Sequence, residues 1–148
     1  MMLTMQEFWL SLKSVLRSAR QLINTKLEPL GLTSSEGDIL FQLVSESRGL
    51  TQEELTERLD VGKAAVSRTI DSLVDKGYVK REQHPEIARA NRITLTEKAN
   101  EISTLVSNVY NNVYETLKGN ITEEELEHVS TLLVRVSQNI QSQGVRFK

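Results

Sequence analysis

Three Thr-x-x-Glu motifs mark the starts of helices in this chain, and they are Thr33-x-x-Glu36, Thr51-x-x-Glu54 and Thr122-x-x-Glu125. In such a capping box the Thr hydroxyl accepts a hydrogen bond from a backbone N–H of the first turn. The Glu carboxylate accepts one from the backbone N–H of the Thr. Helix ends are marked by glycine, which readily adopts the left-handed conformation found there; the candidates are Gly31, Gly49, Gly77, Gly119 and Gly144. The chain is therefore predicted to fold as a series of separate helices.

Long amphipathic helices are predicted at both ends of the chain. In Thr4–Leu27 apolar residues recur at alternating steps of three and four, which is the spacing of one face of an α-helix. The same pattern runs from after Thr96 to Lys118, and in Glu123–Gln141 the spacing is typical of a coiled-coil seam. These stripes hold more apolar surface than one small central domain can cover. We therefore expect a homodimer built from the N- and C-terminal helices.

Shorter elements are predicted between the long helices. The helices are Ser34–Glu46, Gln52–Leu59 and Lys63–Lys76, and the strands are Tyr78–Gln83 and Arg92–Thr96, separated by a loop around His84-Pro85-Glu86. Two short helices joined by Asp60-Val61-Gly62 and followed by a hairpin form a winged helix-turn-helix pattern.

The predicted fold class is mainly α (α+β), with a winged helix-turn-helix lobe and N- and C-terminal dimerisation helices. We expect residues 1–31 to form the N-terminal dimerisation helix and residues 32–97 the DNA-binding lobe. Residues 98–148 are expected to form the C-terminal dimerisation helices. A length of 148 residues suits one continuous domain.

Charge is distributed unevenly along the chain. The whole chain has a net charge of −2, whereas Val61–Lys98 holds eight basic and five acidic residues, a net charge of +3. A polyanion is expected to meet this positive segment first.

The second helix of a helix-turn-helix lies in the DNA major groove, with its N-terminal residues towards the base edges. Here that helix begins Lys63-Ala64-Ala65-Val66-Ser67-Arg68. Arg and Lys can donate to guanine or phosphate, Ser can donate or accept, and Ala can contact a thymine methyl group. The candidate DNA-binding residues on this helix are Lys63, Ala64, Ala65, Ser67, Arg68 and Asp71.

Several motifs between Leu32 and Lys98 resemble the MarR family of winged-helix transcriptional regulators. They are Leu32-Thr33, Leu50-Thr51-Gln52-Glu53-Glu54-Leu55, Val66-Ser67-Arg68, Leu73, Lys76-Gly77-Tyr78-Val79-Lys80-Arg81 and Leu95-Thr96-Glu97-Lys98. The resemblance implies a homodimer, usually a repressor, that binds double-stranded DNA at a pseudo-palindromic operator. It also implies a small-molecule effector, apolar or phenolic, in a pocket between the dimer helices and the DNA-binding lobe.

The resemblance also assigns a wing residue. The family's Asp-x-Arg signature falls on Ile87, Ala88 and Arg89, so Arg89 is expected to enter the minor groove. Ile87 replaces the family's Asp, and the adjacent Glu86 is a candidate substitute for its carboxylate. Gly62 and Ala64-Ala65 also depart from the more polar residues usual at the start of the recognition helix.

For three further cations and three aromatic residues, the sequence leaves two interpretations open. Arg92 is expected either to contact DNA or to stabilise the hairpin. Lys80 and Arg81 are expected to be strand-surface charges, with phosphate contact as the alternative. The aromatic residues Phe8, Trp9 and Phe41 are expected in the core or the dimer interface, with a ligand pocket as the alternative.

Several functional classes are excluded or disfavoured by residues that are missing. The chain has no cysteine, which excludes disulfides and thiol chemistry, and only two histidines, His84 and His128, which disfavours a metal site. No catalytic motif is present, so neither an enzyme nor a cofactor is expected. No apolar run is long enough to span a membrane, and Met1–Glu7 lacks the features of a secretory signal, so we expect a cytoplasmic protein.

A second class of function stays open at this point. A dimeric winged-helix module that binds proteins and has lost DNA binding would suit the altered wing, Ala64-Ala65 and the acidic net charge.

Overall fold

A computed structural model describes residues 3–83 and 91–144 of the chain, and these residues form six α-helices and three short strands. In chain order the elements are α1 (Met5–Leu27), a 3-10 turn (Glu28–Leu30), α2 (Ser34–Val44), β1 (Leu50–Thr51), α3 (Gln52–Leu59), α4 (Lys63–Asp75), β2 (Val79–Gln83), β3 (Asn91–Leu95), α5 (Asn100–Lys118) and α6 (Glu123–Gln141). This is the predicted mainly α winged helix-turn-helix architecture.

The three predicted capping boxes are all formed, at the starts of α2, α3 and α6. A fourth capping box, Thr4 with Glu7, starts α1 and was missed by the sequence analysis. The five predicted helix-end glycines all have positive φ. At Gly49, with φ of 76°, a Cβ would also lie 2.4 Å from the carbonyl oxygen of Ile93, so only glycine lets this turn approach β3.

The helix boundaries deviate slightly from prediction. Helix α2 ends at Val44 and not at Glu46, because the Glu46 N–H donates to the carbonyl of Leu43 in a tightened final turn. Helix α5 begins at Asn100, after a turn in which the Ala99 N–H donates to the Thr96 carbonyl.

The sheet has the antiparallel order β1-β3-β2. Strand β1 was not predicted, since two residues are too few to show an alternating pattern. It pairs Leu50 with Ile93 and Thr51 with Arg92, which attaches the hairpin to the segment after α2. The hairpin pairs Val79 with Leu95 at its base.

One hydrophobic core joins the helix-turn-helix to the long helices. Its fully buried members include Leu55, Ile70, Leu73 and Ile93 from α3, α4 and the sheet, together with Leu27, Val106 and Tyr110 from α1 and α5. The long helices therefore hold the helix-turn-helix lobe through direct packing.

Much of the apolar surface of the long helices is uncovered in the single chain. Within the described residues, none of the 19 residues of α6 is buried. Trp9 and Leu16 on α1 are 58% and 64% exposed, and Val129 on α6 is 51% exposed. In residues 3–83 and 91–144, every helix is too short or too polar to cross a bilayer.

Candidate nucleic-acid interface

Helix α4 is positioned by a tight turn and by its apolar face. Asp60 ends α3 in the left-handed conformation, which Asp tolerates better than most residues. Gly62 then caps α4 without a side-chain hydrogen bond. Val66, Ile70 and Leu73 are buried against α2, α3 and the sheet. The opposite face of α4 is consequently turned to solvent.

The predicted major-groove residues occupy this outer face to different degrees. Lys63, Ala64, Arg68 and Asp71 are exposed, whereas Ala65 and Ser67 are half-buried. In the part of the chain that the structure describes, the side chains of Lys63 and Arg68 form no hydrogen bond or ion pair. Two cations are thus available to an external anion at the N-terminal half of α4.

Asp71 is engaged inside the protein. Its carboxylate accepts from Arg81 on β2, so the outer face of the recognition helix is tied to the hairpin. Lys80 likewise pairs with Glu82 on the same strand at 2.9 Å. Both cations of β2 therefore have carboxylate partners, and both pairs lie at the surface.

Arg92 holds the hairpin against the rest of the lobe. Its Nη1 donates to the backbone carbonyl of Arg48 at 2.8 Å, and it lies opposite Thr51 of β1 and Glu82 of β2. Of the two roles expected for Arg92, these contacts favour stabilisation of the hairpin.

The predicted minor-groove residue, Arg89, lies outside the described residues, as do the neighbouring positions Glu86 and Ile87. The described strands of the hairpin end at Gln83 and Asn91, which pair with each other.

A buried carboxylate behind α4 was not identified as a functional residue from the sequence. Glu36, which is 2% exposed, accepts from the Thr33 N–H at 2.9 Å, from Ser72 Oγ at 2.7 Å and from Lys76 Nζ at 2.8 Å. Burial alone would raise the pKa of Glu36, but the hydrogen bonds from Lys76, Thr33 and Ser72 outweigh it and hold the pKa below its usual value. From the sequence, Glu36 was expected only to complete a capping box. The available signal was the polar pair Ser72 and Lys76, one turn apart on a helix that must pack against α2.

A second polar cluster joins α1, α2 and α5. Tyr110 Oη donates to Asp38 Oδ1 at 2.6 Å, and Arg20 approaches Asp38 Oδ2 at 3.3 Å. The Tyr110 ring stacks on Phe41 with 4.6 Å between the ring centroids. Phe41 therefore packs against the core, which is one of the two positions expected for it. Burial and the neighbouring Asp38 raise the pKa of the Tyr110 hydroxyl.

Two crevices in the described residues bear on the effector pocket that was expected between the dimer helices and the DNA-binding lobe. The crevice between α1, α2 and α4 includes Arg20, Asp38 and Ala65, and its free volume of about 30 Å³ suits one water molecule. A groove between the end of α1 and α5, lined by Leu30, Leu105 and Val109 among others, is open to solvent and has about 430 Å³ of free volume. In the described residues, no group of three His, Asp or Glu side chains is arranged to hold a metal ion.

Comparison with known proteins agrees with this geometry. The model of the MarR family matches residues 30–90. A MarR transcriptional regulator from Methanosarcina mazei Go1 is 26% identical, with 95% of this chain and 94% of that chain covered and a TM-score of 0.74. A mutant MarR from E. coli complexed with operator DNA is 27% identical, with coverages of 84% and 89% and a TM-score of 0.70. A putative MarR family regulator from Listeria monocytogenes complexed with 26mer DNA shares the fold at 20% identity, with coverages of 97% and 92% and a TM-score of 0.77.

The helix-turn-helix, the hairpin and the flanking long helices form the arrangement found in winged-helix transcriptional regulators. The chain is similar to the MarR family, whose model matches residues 30–90, and to MarR regulators of known structure along nearly its whole length.

Proposed function

We propose that this protein is a sequence-specific regulator that binds double-stranded DNA as a homodimer, at an inverted-repeat operator in the cytoplasm. In this proposal α4 enters the major groove of each half-site, and the hairpin tip enters the adjacent minor groove. The observation that carries the proposal is the outer face of α4, where Lys63 and Arg68 are exposed and form no internal hydrogen bond or ion pair in the described residues.

The residues of α4 have separate roles in this proposal. Arg68 reads a base edge or binds phosphate, Lys63 binds phosphate near the helix start, and Ser67 and Ala64 add shorter contacts. Ala65 and Asp71 lie beside them, with Asp71 acting through Arg81. Arg89 is the minor-groove residue of the proposal, on the strength of the family resemblance.

The uncovered apolar faces support the homodimer. Helix α6 and the exposed faces of α1 and α5 supply the dimerisation surface, since apolar side chains repeat along these faces and are not covered within one chain. Residues 1–31 and 98–148 would then serve dimerisation, and residues 32–97 would serve DNA binding. Two-fold symmetry sets the half-site centres about 10–10.5 base pairs apart, or a multiple of that spacing.

Repression relieved by a small apolar or phenolic ligand completes the proposal. The groove between α1 and α5 has the volume that such ligands require, which is roughly 300–1,000 Å³. A ligand held there would bias the packing of α1 against α5 and, through the core that both helices share with α4, the spacing of the two copies of α4.

The test is a selection of duplexes from a randomised library with the purified protein, followed by competition titration. We expect an inverted-repeat sequence to be enriched and to bind at least about 1,000-fold more tightly than a scrambled duplex. Affinity for the selected duplex should fall steeply with salt, because binding releases phosphate counterions. Recovery of no preferred sequence would reject DNA recognition and favour the protein-interaction module.

A further inference from the structure

Helix α4 is attached to α2 at two points one turn apart. Ser72 and Lys76 are separated by four residues, so they project from the same side of α4. Both donate to the carboxylate of Glu36, Ser72 to Oε2 at 2.7 Å and Lys76 to Oε1 at 2.8 Å. Two bonds to the two oxygens of one carboxylate resist both rotation of α4 about its axis and sliding along it.

Glu36 is itself rigidly held. It is the third residue of α2, and its Oε1 also accepts from the Thr33 N–H at 2.9 Å, while its own N–H donates to Thr33 Oγ1 at 3.1 Å. Its side chain is only 3% exposed. The carboxylate therefore cannot follow α4 if that helix moves, because the capping box fixes it to the start of α2.

Lys76 is fixed from two further directions. Its Nζ also donates to the carbonyl of Gly31 at 2.9 Å, and its backbone carbonyl accepts from Lys98 Nζ at 2.8 Å. Lys98 lies over the Tyr78 ring, 5.0 Å from the centroid. The C-terminal end of α4 is thus attached to the turn before α2 and to the turn before α5.

The anchored residues continue the row that holds the exposed cation. Arg68 precedes Ser72 by four residues on α4, and Lys76 follows it by four. Arg68, Ser72 and Lys76 therefore lie in one row along the helix. Arg68 is exposed to solvent, and the other two form part-buried hydrogen bonds with Glu36. Arg68, Ser72 and Lys76 all border the same polar groove beside the start of α2.

We propose that Glu36 is a positioning residue for DNA recognition, which sets the rotation and height of α4 so that Arg68 meets its base. A helix with side chains has a radius of about 5 Å, so a rotation of about 20° displaces side-chain atoms by about 2 Å. Recognition groups must be held within about 0.5 Å and 10–20° of their productive geometry. The inference rests on the proposed function, because it assigns to Glu36 a role in operator discrimination.

An ion pair with one buried and one partly exposed partner suits a role in specifying the position of α4 as well as a role in stability. Replacing such a pair by apolar residues often leaves stability unchanged, whereas hydrogen-bonded charges can specify one arrangement among several. Glu36 is expected to affect discrimination between duplexes more than attraction to DNA as such. Phosphate attraction depends on Lys63 and Arg68, which form no hydrogen bond or ion pair with Glu36 in the described residues.

The experiment compares Glu36→Gln with Glu54→Gln. Gln retains the capping-box function in both helices. Among the described residues, the Glu54 carboxylate hydrogen-bonds only to Thr51 and forms no bond to α4. Glu54→Gln is therefore the capping-box control, at an exposed carboxylate near Arg58 and Arg92. For each folded protein, the dissociation constants for the selected duplex and for a scrambled duplex are measured at one salt concentration.

The readout is the discrimination ratio, which is the dissociation constant for the scrambled duplex divided by the dissociation constant for the selected duplex. We expect Glu36→Gln to lower it about tenfold or more, with less than about threefold change in binding to the scrambled duplex, and Glu54→Gln to preserve it. A ratio for folded Glu36→Gln that equals the wild-type ratio would overturn the proposal, as would an equal loss in Glu54→Gln. If Glu36→Gln does not fold, Ser72→Ala removes one of the two anchors, and an unchanged ratio there would likewise overturn it.

A measurement without DNA separates this inference from the proposed function. Hydrogen exchange of the α4 amides should be faster in Glu36→Gln than in the wild type, and unchanged in Glu54→Gln. If the wild type binds all duplexes equally well, the proposed function fails, and the role of Glu36 in discrimination fails with it. Hydrogen exchange would still show whether Glu36 holds α4. Unchanged exchange in Glu36→Gln would contradict the anchoring itself.

Discussion

Arg81 on β2 donates to Asp71 on α4, so the strand that leads into the wing is joined directly to the outer face of the recognition helix. The bond spans ten residues and connects the two elements that contact DNA in the proposed complex. Asp71 is 62% exposed and Arg81 34% exposed, so the pair remains in contact with solvent.

Separating this pair should alter DNA binding more than stability. We expect Asp71→Asn and Arg81→Gln each to change the free energy of unfolding by less than about 1 kcal/mol, because exposed ion pairs contribute little. If the pair orients the hairpin relative to α4, the two substitutions should be non-additive in operator affinity, by about 0.5 kcal/mol or more. A double-mutant cycle on the selected duplex measures this. Additive losses would mean that the two residues act independently.

Arg68 should carry specific recognition. Replacing Arg68 by Ala is expected to cost about 1–3 kcal/mol of specific binding if the side chain reads a base, with relaxed selectivity at one position of each half-site. Competition titrations with single-position variants of the selected duplex measure both effects. Arg17→Ala, which removes an exposed arginine from α1, is the control and should leave affinity and selectivity unchanged in a variant whose dimeric state equals that of the wild type. A uniform loss across all duplexes would instead indicate phosphate contact.

Acid should remove the contribution of Glu36 to stability. Since its hydrogen bonds hold the pKa of Glu36 below the usual value of 4.5, that contribution is fully present above the unfolded pKa. It is lost as the pH falls through the lower folded pKa. Urea unfolding at pH 7 should therefore show Glu36→Gln less stable than the wild type, and the difference should narrow as the pH falls below about 4.5. A gap that stays constant down to pH 3 would contradict the assignment of this carboxylate as ionised and hydrogen-bonded.

The Tyr110 hydroxyl should stabilise the junction of α2 and α5. Tyr110→Phe removes the donor to Asp38 but keeps the ring that stacks on Phe41. We expect a loss of about 1–3 kcal/mol in the free energy of unfolding, because a hydrogen bond to a charged group is lost. Tyr114→Phe is the control, since the Tyr114 hydroxyl has no hydrogen bond in residues 3–83 and 91–144. Equal effects of the two substitutions would show that the bond to Asp38 adds nothing.

Local signals in the sequence were sufficient for most helix boundaries. The Thr33, Thr51 and Thr122 capping boxes act within one turn, and each forms where the motif predicts it. The resemblance to the MarR family was confirmed by the family model over residues 30–90. The two-residue strand β1 was missed, because only its partner β3 makes Leu50–Thr51 a strand.

Contacts between distant segments could not be predicted from the sequence. The bonds from Ser72 and Lys76 to Glu36 span 36 and 40 residues, and they depend on how α4 crosses α2. Arg81 was expected to be a surface charge, and the sequence contained no sign that Asp71 would lie within reach. The roles of Lys63, Ala64, Ala65, Ser67, Arg68 and Asp71 in DNA binding stay predictions, as do those of Arg89 and Arg92.

The most direct test of the central claim is the effect of half-site spacing on affinity. The dissociation constant is measured for the selected inverted repeat and for a duplex in which about five base pairs, half a helical turn, are inserted between the half-sites. A homodimer with two fixed copies of α4 cannot reach both half-sites on opposite sides of the duplex, so we expect at least about a tenfold loss of affinity. Equal affinity for the two duplexes would contradict recognition by a two-fold pair of recognition helices.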